Sequence, residues 1–304
     1  TLIEGVGVTI TTDSTAREIT IEADTSLLAT VNDIDVITLA DSAELKAYTG
    51  IARGVVLRQQ GREGLFTRTT TSRAHDGYMV FEDAAARKWV RITEDDVLNV
   101  KWFGAIGNGV ADDYYAIQRA IDYTIYEDTT IKKVFIPSGN YLIGKTIHMG
   151  YGASYSSVHL AGDGAPTFRG EQQFNGATIT ANFSNAPPIN IQGARYSVIE
   201  NLCVVGLNDI DGFLYDTSSA NINNWIDPTI DTIGDNARTP YAAITIDGYS
   251  GTAPTPAYAT VTYPAYTGIV TQYNKLFSSQ VKISNVSLSK FIAGVVLQPN
   301  SDGN

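Results

Sequence analysis

The sequence predicts an all-β chain, most of it a solenoid of short parallel strands that is entered through one helix. Three observations carry this expectation. A compact motif between Trp102 and Tyr141 joins a glycine-rich turn, an aspartate pair, an amphipathic stretch and a strand. Two later segments, Val198–Val204 and Lys282–Leu288, both contain the order apolar, x, Asn, apolar, x, apolar. Short strand-like runs separated by glycine and aspartate turns precede the motif.

Within the motif, Gly104, Gly107 and Gly109 permit the positive-φ turns that swing the chain from one element to the next. Asp112 and Asp113 stand where a helix begins and are expected to accept bonds from its free N–H groups. Ala116, Ile117, Ala120 and Ile121 form one apolar stripe at helical spacing, with Gln118, Arg119 and Asp122 beside it. A helix near 112–125 therefore has one face to bury. Laid across the first coil of a solenoid, it would cover an open hydrophobic end and unpaired strand edges. Capping accounts for the adjacent aspartates without metal or acid–base chemistry. The glycines read G-x-x-G-x-G, which is not the dinucleotide-binding fingerprint.

This motif, closing on Ile136-Pro137-Ser138-Gly139-Asn140-Tyr141, resembles the opening of a right-handed parallel β-helix of the pectate-lyase-like superfamily. The branch it resembles includes bacteriophage tailspikes and capsule depolymerases. The resemblance implies an N-terminal capping α-helix on the β-helix, preceded by a small β-rich neck or attachment domain. It implies a homotrimer in a virion tail, joined to a tail, baseplate or adaptor protein through its N-terminal region. Host surface polysaccharide, capsule or lipopolysaccharide, would be bound and degraded. Two alternatives stay open: a non-catalytic structural or receptor-binding tail protein, and a secreted bacterial polysaccharide lyase or hydrolase.

Three regions follow in order. Residues 1–40 alternate as short strands, with Val6, Val8 and Ile10 followed by Ile19 and Ile21 after the turn-prone Thr12-Asp13-Ser14-Thr15, and form the expected attachment segment. Residues 41–96 form the expected neck. Asp41-Ser42-Ala43-Glu44 has the form of a capping box opening a short helix that ends at Gly50. Strand-like runs follow at Val55–Leu57, Tyr78–Phe81 and Trp89–Ile92. Residues 97–304 are the expected first coils, where the paired Asn201 and Asn285 mark sharp corners at which Asn tolerates a left-handed backbone and stacks on its counterpart. Weaker copies lie at Val158–Leu160, Ala177–Thr180 and Ala243–Ile246. Long excursions are placed at about 207–240 and 248–279, as solenoid insertions project as loops. The final strand-like run, Ile292–Leu297, is followed by neither cap nor closing helix, so the sequence is expected to be a fragment with its principal active site beyond Asn304.

Composition narrows the partners. Charged residues make up 17% of the 304, and the net charge of -11 with no basic run excludes nucleic acid and anionic membrane as natural partners. No apolar run is long enough to span a bilayer, so no membrane insertion is expected. The one cysteine, Cys203, cannot form an internal disulfide, and its place between Leu202 and Val204 suggests a packed or outward strand position. The 17 tyrosines with few charges suit contacts between subunits. No Cys/His cluster has metal-ligand spacing, and neither metal nor cofactor is expected.

β-helix glycan hydrolases use paired carboxylates, one protonated and one ionised. The acidic residues nearest a solenoid face are Glu200, at a coil corner and pointing outward, and Asp209 and Asp211 on the loop that follows. These are the catalytic candidates. The excursions are rich in aromatics and aspartates, the composition of a glycan groove, which makes Trp225, Tyr249, Tyr263 and Tyr266 the glycan-binding candidates. Packing of the loops or of a subunit interface explains the same tyrosines equally well. His148 and His159 are read as packed or satisfied strand residues, and His75 as a solvated loop residue.

Overall fold

A computed structural model describes residues 8–13, 18–23, 36–93, 95–150, 157–165, 168–169, 172–173, 176–183, 186–207, 242–247, 279–291 and 293–297. The chain divides into two compact units, Thr1–Ile92 and Thr93–Asn304.

In the first unit, β1 (Val8–Asp13) and β2 (Glu18–Ala23) pair as an antiparallel hairpin with Ile10 opposite Ile21. A five-stranded sheet follows, built from β3 (Val36–Leu39), β4 (Gly54–Leu57), β5 (Gly64–Thr69), β6 (Val80–Glu82) and β7 (Lys88–Arg91) in the order β3-β4-β5-β7-β6. β3 and β4 are parallel, which demands a crossover, and α1 (Ser42–Ala47) supplies it. Asp41 caps α1 by accepting from Ala43 N and Glu44 N, while the Glu44 carboxylate accepts from Ala40 N. The helix stops at Ala47, short of the expected Gly50. Leu45 pins it to a core of Val55, Leu57, Phe66, Phe81 and Trp89. Asp83 organises the hairpin between β6 and β7: its carboxylate accepts from Trp89 Nε1 and Arg87 Nε, each at 2.8 Å, and from Ala85 N and Arg87 N. The central strand β5 lies in a stretch read from sequence only as punctuation. Its one fully buried side chain, Phe66, left little alternation to detect.

In the second unit the strands wind into successive coils with three parallel sheets. The first sheet stacks β8 (Val97–Asn99), β10 (Lys133–Ile136), β13 (His159–Gly162) and the leading halves of β18 (Val198–Val205) and β20 (Lys282–Ser289). The second stacks β9 (Asn108–Asp112), β11 (Gly139–Ile143), β16 (Ala177–Ala181) and the trailing halves of β18 and β20. The third stacks β12 (Ile147–Met149), β17 (Ile189–Gln192), β19 (Ala242–Asp247) and β21 (Ala293–Leu297). A short hairpin of β14 (Phe168–Arg169) and β15 (Gln172–Gln173) interrupts the third coil. The expected right-handed parallel β-helix is therefore the observed fold, its hand following the rule for connections between parallel strands.

Register makes the core. Leu98, Val134, Leu160, Ile199 and Ile283 succeed one another along the first sheet, and Tyr141, Ile179, Val204 and Leu288 along the second. Ile147, Ile189 and Ile244 line the third and are fully buried. β18 and β20 turn the corner between sheets without leaving the strand, because Asn201 and Asn285 take left-handed φ values of 56° and 52°. The Asn285 side-chain amide donates to Asn201 Oδ1 at 2.7 Å, so the corner asparagines stack as expected. β19 divides the long interval between β18 and β20, which places the excursions at 206–241 and 248–281; their interiors lie outside the described residues.

α2 (Tyr114–Asp122), continued by a wider turn at Tyr123–Glu127, stands where the first coil would make its strand in the third sheet. Ile117, Ala120 and Ile121 are fully buried, as their spacing predicts. The aspartate pair departs from expectation. Asp113 occupies the cap position with φ near −90° and ψ near 1°, yet its carboxylate turns back and accepts from Ile106 N and Gly107 N at 2.7 and 2.9 Å. Asp112 serves the helix instead, accepting from Tyr114 N, and also from Gly144 N in the next coil. Burial raises the Asp113 carboxyl above its ordinary value, an effect the two N–H donors oppose. Gln118 and Asp122, expected beside the buried stripe, are themselves fully buried.

Candidate functional site

The outer face of the first sheet is described in every coil, and it gathers ionisable side chains. Inward residues alternate with outward ones along each strand, so the register sets Lys133, His159, Val198 and Lys282 in one column. Phe135, Ala161, Glu200 and Ser284 form the column beside it. Ala161, between Phe135 and Glu200 in this column, is small and 1% exposed, covered by the side chains around it.

His159 and Glu200 are diagonal neighbours on adjacent strands, a separation two long side chains span. Their contact is direct: His159 Nε2 lies 2.8 Å from Glu200 Oε1. Both side chains keep a solvent-facing fraction, 29% for the imidazole and 22% for the carboxylate. An imidazole and a carboxylate in direct contact and open to solvent are residue types that general acid–base chemistry uses. Lys133 precedes His159 by one coil and Lys282 follows it by two, so the pair sits in a column of positive charge. Glu200 is the one acid among the described residues of these two columns.

Of the catalytic candidates read from sequence, Glu200 is thus on the outer face beside Asn201, while Asp209 and Asp211 lie outside the described residues. Trp225, Tyr249, Tyr263 and Tyr266 also lie outside them. His159 was missed as a partner because a strand histidine reads as packed. Aligning Leu160 with Ile199 as the inward pair would have put His159 outward and next to Glu200. His75 is exposed, with Nδ1 2.9 Å from the Val80 carbonyl.

The outer face of the second sheet has different chemistry. Asn140, Thr178, Cys203 and Ser287 follow in register, and Thr180 Oγ1 donates to Asn140 Oδ1 at 2.6 Å. Cys203 is fully buried, and burial pushes its thiol up to about 11 despite a hydrogen bond with Ser287. A thiol so placed is almost wholly protonated at neutral pH and a poor nucleophile.

Residues 97–231 match the family described as rhamnogalacturonase A/epimerase, pectate lyase-like, a match that begins at the first residue of β8. A stretch of 77 residues is 43% identical to mannuronan C5-epimerase AlgE1 of Azotobacter vinelandii, covering 24% of this chain and 5% of that protein. Among solved structures, the full-length tailspike protein 2 of an Escherichia coli O157:H7 bacteriophage aligns over 99% of this chain and 36% of its own, at 15% identity and a TM-score of 0.48. WceF of Pantoea stewartii, described as a glycan biofilm modifying enzyme with a bacteriophage tailspike-like parallel β-helix fold, aligns over 56% of this chain and 25% of its own, at 18% identity and a TM-score of 0.44. The chain spans a small part of the epimerase and about a quarter to a third of these two structures.

Proposed function

We propose that this chain is part of a phage tailspike that binds and degrades host surface polysaccharide, capsule or lipopolysaccharide, along the outer face of its β-helix. The observation that carries the reading is the His159–Glu200 contact, an acid–base pair held on a rigid ladder and open to solvent. The pectate-lyase-like match over residues 97–231 supports it, as does the stretch shared with an enzyme named for acting on mannuronan. In this reading a sugar chain runs along the two columns. The Phe135 ring meets a C–H face of one sugar, Lys133 and Lys282 meet its oxygens, and His159 and Glu200 exchange a proton with the glycosidic oxygen or ring carbon that reacts. Trp225, Tyr249, Tyr263 and Tyr266 would add stacking surfaces, and the first unit would join three copies of the chain to a virion.

The test uses the intact protein and purified capsule or lipopolysaccharide. Glu200→Gln and His159→Gln should each cut turnover by about 10²-fold, the usual loss for a general acid or base. New reducing ends would mark hydrolysis, and unsaturated sugars would mark elimination. Near-normal turnover in both variants would sink the assignment of this face. Light scattering at a monomer mass would sink the trimer, and unchanged glycan affinity in Trp225→Ala and Tyr249→Ala would remove those loops from the groove.

A further inference from the structure

The first unit holds a cavity of about 900 Å³ that the polysaccharide reading does not use. It lies where β5 runs out of the sheet. Thr69, the last residue of β5, pairs with Lys88, the first of β7, and on the other side β4 begins at Gly54 opposite Thr67. The chain past Thr69 therefore has no neighbouring strand on either side among the described residues. Among the described residues, no main-chain N–H or carbonyl of Thr70, Thr71 or Ser72 has a hydrogen-bond partner, although the Thr71 hydroxyl accepts from Arg73 N. Three consecutive residues, continuing from the end of β5, thus offer unpaired main chain to which an added strand could bond.

The charge around this edge is one-sided. Among the described residues, Arg68, Arg87 and Lys88 line the cavity, and no acidic residue does. Arg87 is matched by Asp83 and Lys88 by Glu82, whereas the Arg68 guanidinium is paired with no described residue. One uncompensated positive charge therefore stands beside a row of hydroxyls in a chain whose net charge is -11. No aromatic ring of the described residues lines the cavity, so they offer a sugar no stacking face. A lone phosphate would leave most of the volume, and all three residues of free main chain, unused.

We propose that this overhang is a docking site for an extended acidic peptide segment of a protein partner, added as a strand along Thr70–Ser72 with a carboxylate on Arg68. The inference deepens the attachment part of the reading above and is independent of its catalytic part. The intact protein is titrated with a fluorescein-labelled peptide of alternating glutamate and threonine, beside its glutamine–threonine counterpart. The acidic peptide should bind, with the neutral one about tenfold weaker or more. Arg68→Glu, which breaks no ion pair among the described residues, should weaken the acidic peptide about tenfold or more, as loss of a complementary charge does. Thr70→Pro removes a donor that the fold does not use and should weaken both peptides, with the melting temperature unchanged. Equal binding of the two peptides, no binding of either, or unchanged affinity in both variants would overturn the proposal. So would displacement of the peptide by inorganic phosphate or by a uronate oligosaccharide at the same site. Polysaccharide turnover, measured on the same samples, should not change in either variant. Turnover without peptide binding would refute this site and leave the enzymatic reading standing.

Discussion

Gln118 exchanges two hydrogen bonds with the main chain of His148: its amide nitrogen donates to the His148 carbonyl at 2.9 Å, and His148 N–H donates to Gln118 Oε1 at 2.8 Å. One carboxamide thereby copies the donor and acceptor that a neighbouring strand would present. β12 is the edge of the third sheet, because the first coil enters α2 instead of adding a strand there. The helix therefore does more than cover apolar side chains; it also pairs the strand edge that it displaces. Asp122, accepting from Gln118 Nε2 at 2.9 Å, fixes which way round the amide sits.

Gln118→Leu should then destabilise the second unit by about 2–6 kcal/mol, since two part-buried main-chain groups at about 1–3 kcal/mol each lose their partners. Urea unfolding of the purified chain measures it. Wild-type stability in this variant would mean that the paired edge contributes nothing.

A charge in the buried stripe should be worse. Ile117→Asp or Ile121→Asp places a carboxylate where nothing balances it, a change expected to cost more than about 4 kcal/mol and to leave aggregated protein. Arg119→Ala, on the less buried side of α2, buries no charge and should cost far less. Soluble yield and denaturation midpoint separate the two outcomes.

The corner asparagines make a third test. Asn201→Ala and Asn285→Ala should each cost about 1–2 kcal/mol from the left-handed backbone alone, with Asn→Gly sparing that part. Comparing single and double glycine variants isolates the side-chain bond, expected near 1 kcal/mol. A coupling of zero would show that only the backbone angle matters.

In the first unit, stability should depend on pH through Asp83. Burial alone would raise this carboxyl, but the bonds from Trp89, Arg87 and Ala85 outweigh it and hold it below its ordinary 3.8. The unfolded chain thus takes up the proton first as pH falls. Stabilisation is complete above pH 3.8 and disappears as pH drops through the lower folded value. Asp83→Asn should lower stability by about 2 kcal/mol at neutral pH, with the gap to the parent closing in that acid window. A gap independent of pH would show that the charge is not what matters.

Much of the β-helix was legible because its signals are local and repeat. Asn201 and Asn285 announce a corner conformation that few other residues tolerate, and the inward positions flanking them recur in the same order. Ile117 and Ile121 were equally plain, since apolar spacing on a short helix admits one buried face. Gln118 was not legible: a glutamine beside an apolar stripe looks like the solvated flank, and its partner is a main chain thirty residues on. The same holds for Asp113, whose cap position was right but whose carboxylate is drawn to the glycine turn behind it. β17 escaped notice because Ile189 and Ile191 follow a proline pair that reads as loop. At the site, Glu200 could be placed outward from its neighbours, whereas its contact with His159 depends on which residues of two coils face each other.

The pairing of β18 with β20 holds its register over seven positions although the paired residues stand 84 apart in sequence. Closing a longer loop costs little more than closing a shorter one, because the entropy grows only with the logarithm of length. The ladder and the excursions are in this sense separable inheritances. Lengthening, shortening or exchanging residues 208–241 or 248–278 should leave Ile199 opposite Ile283 and the corner asparagines in contact. A scaffold of this kind lets the surfaces carried by its insertions diversify rapidly while the frame that displays them stays the same.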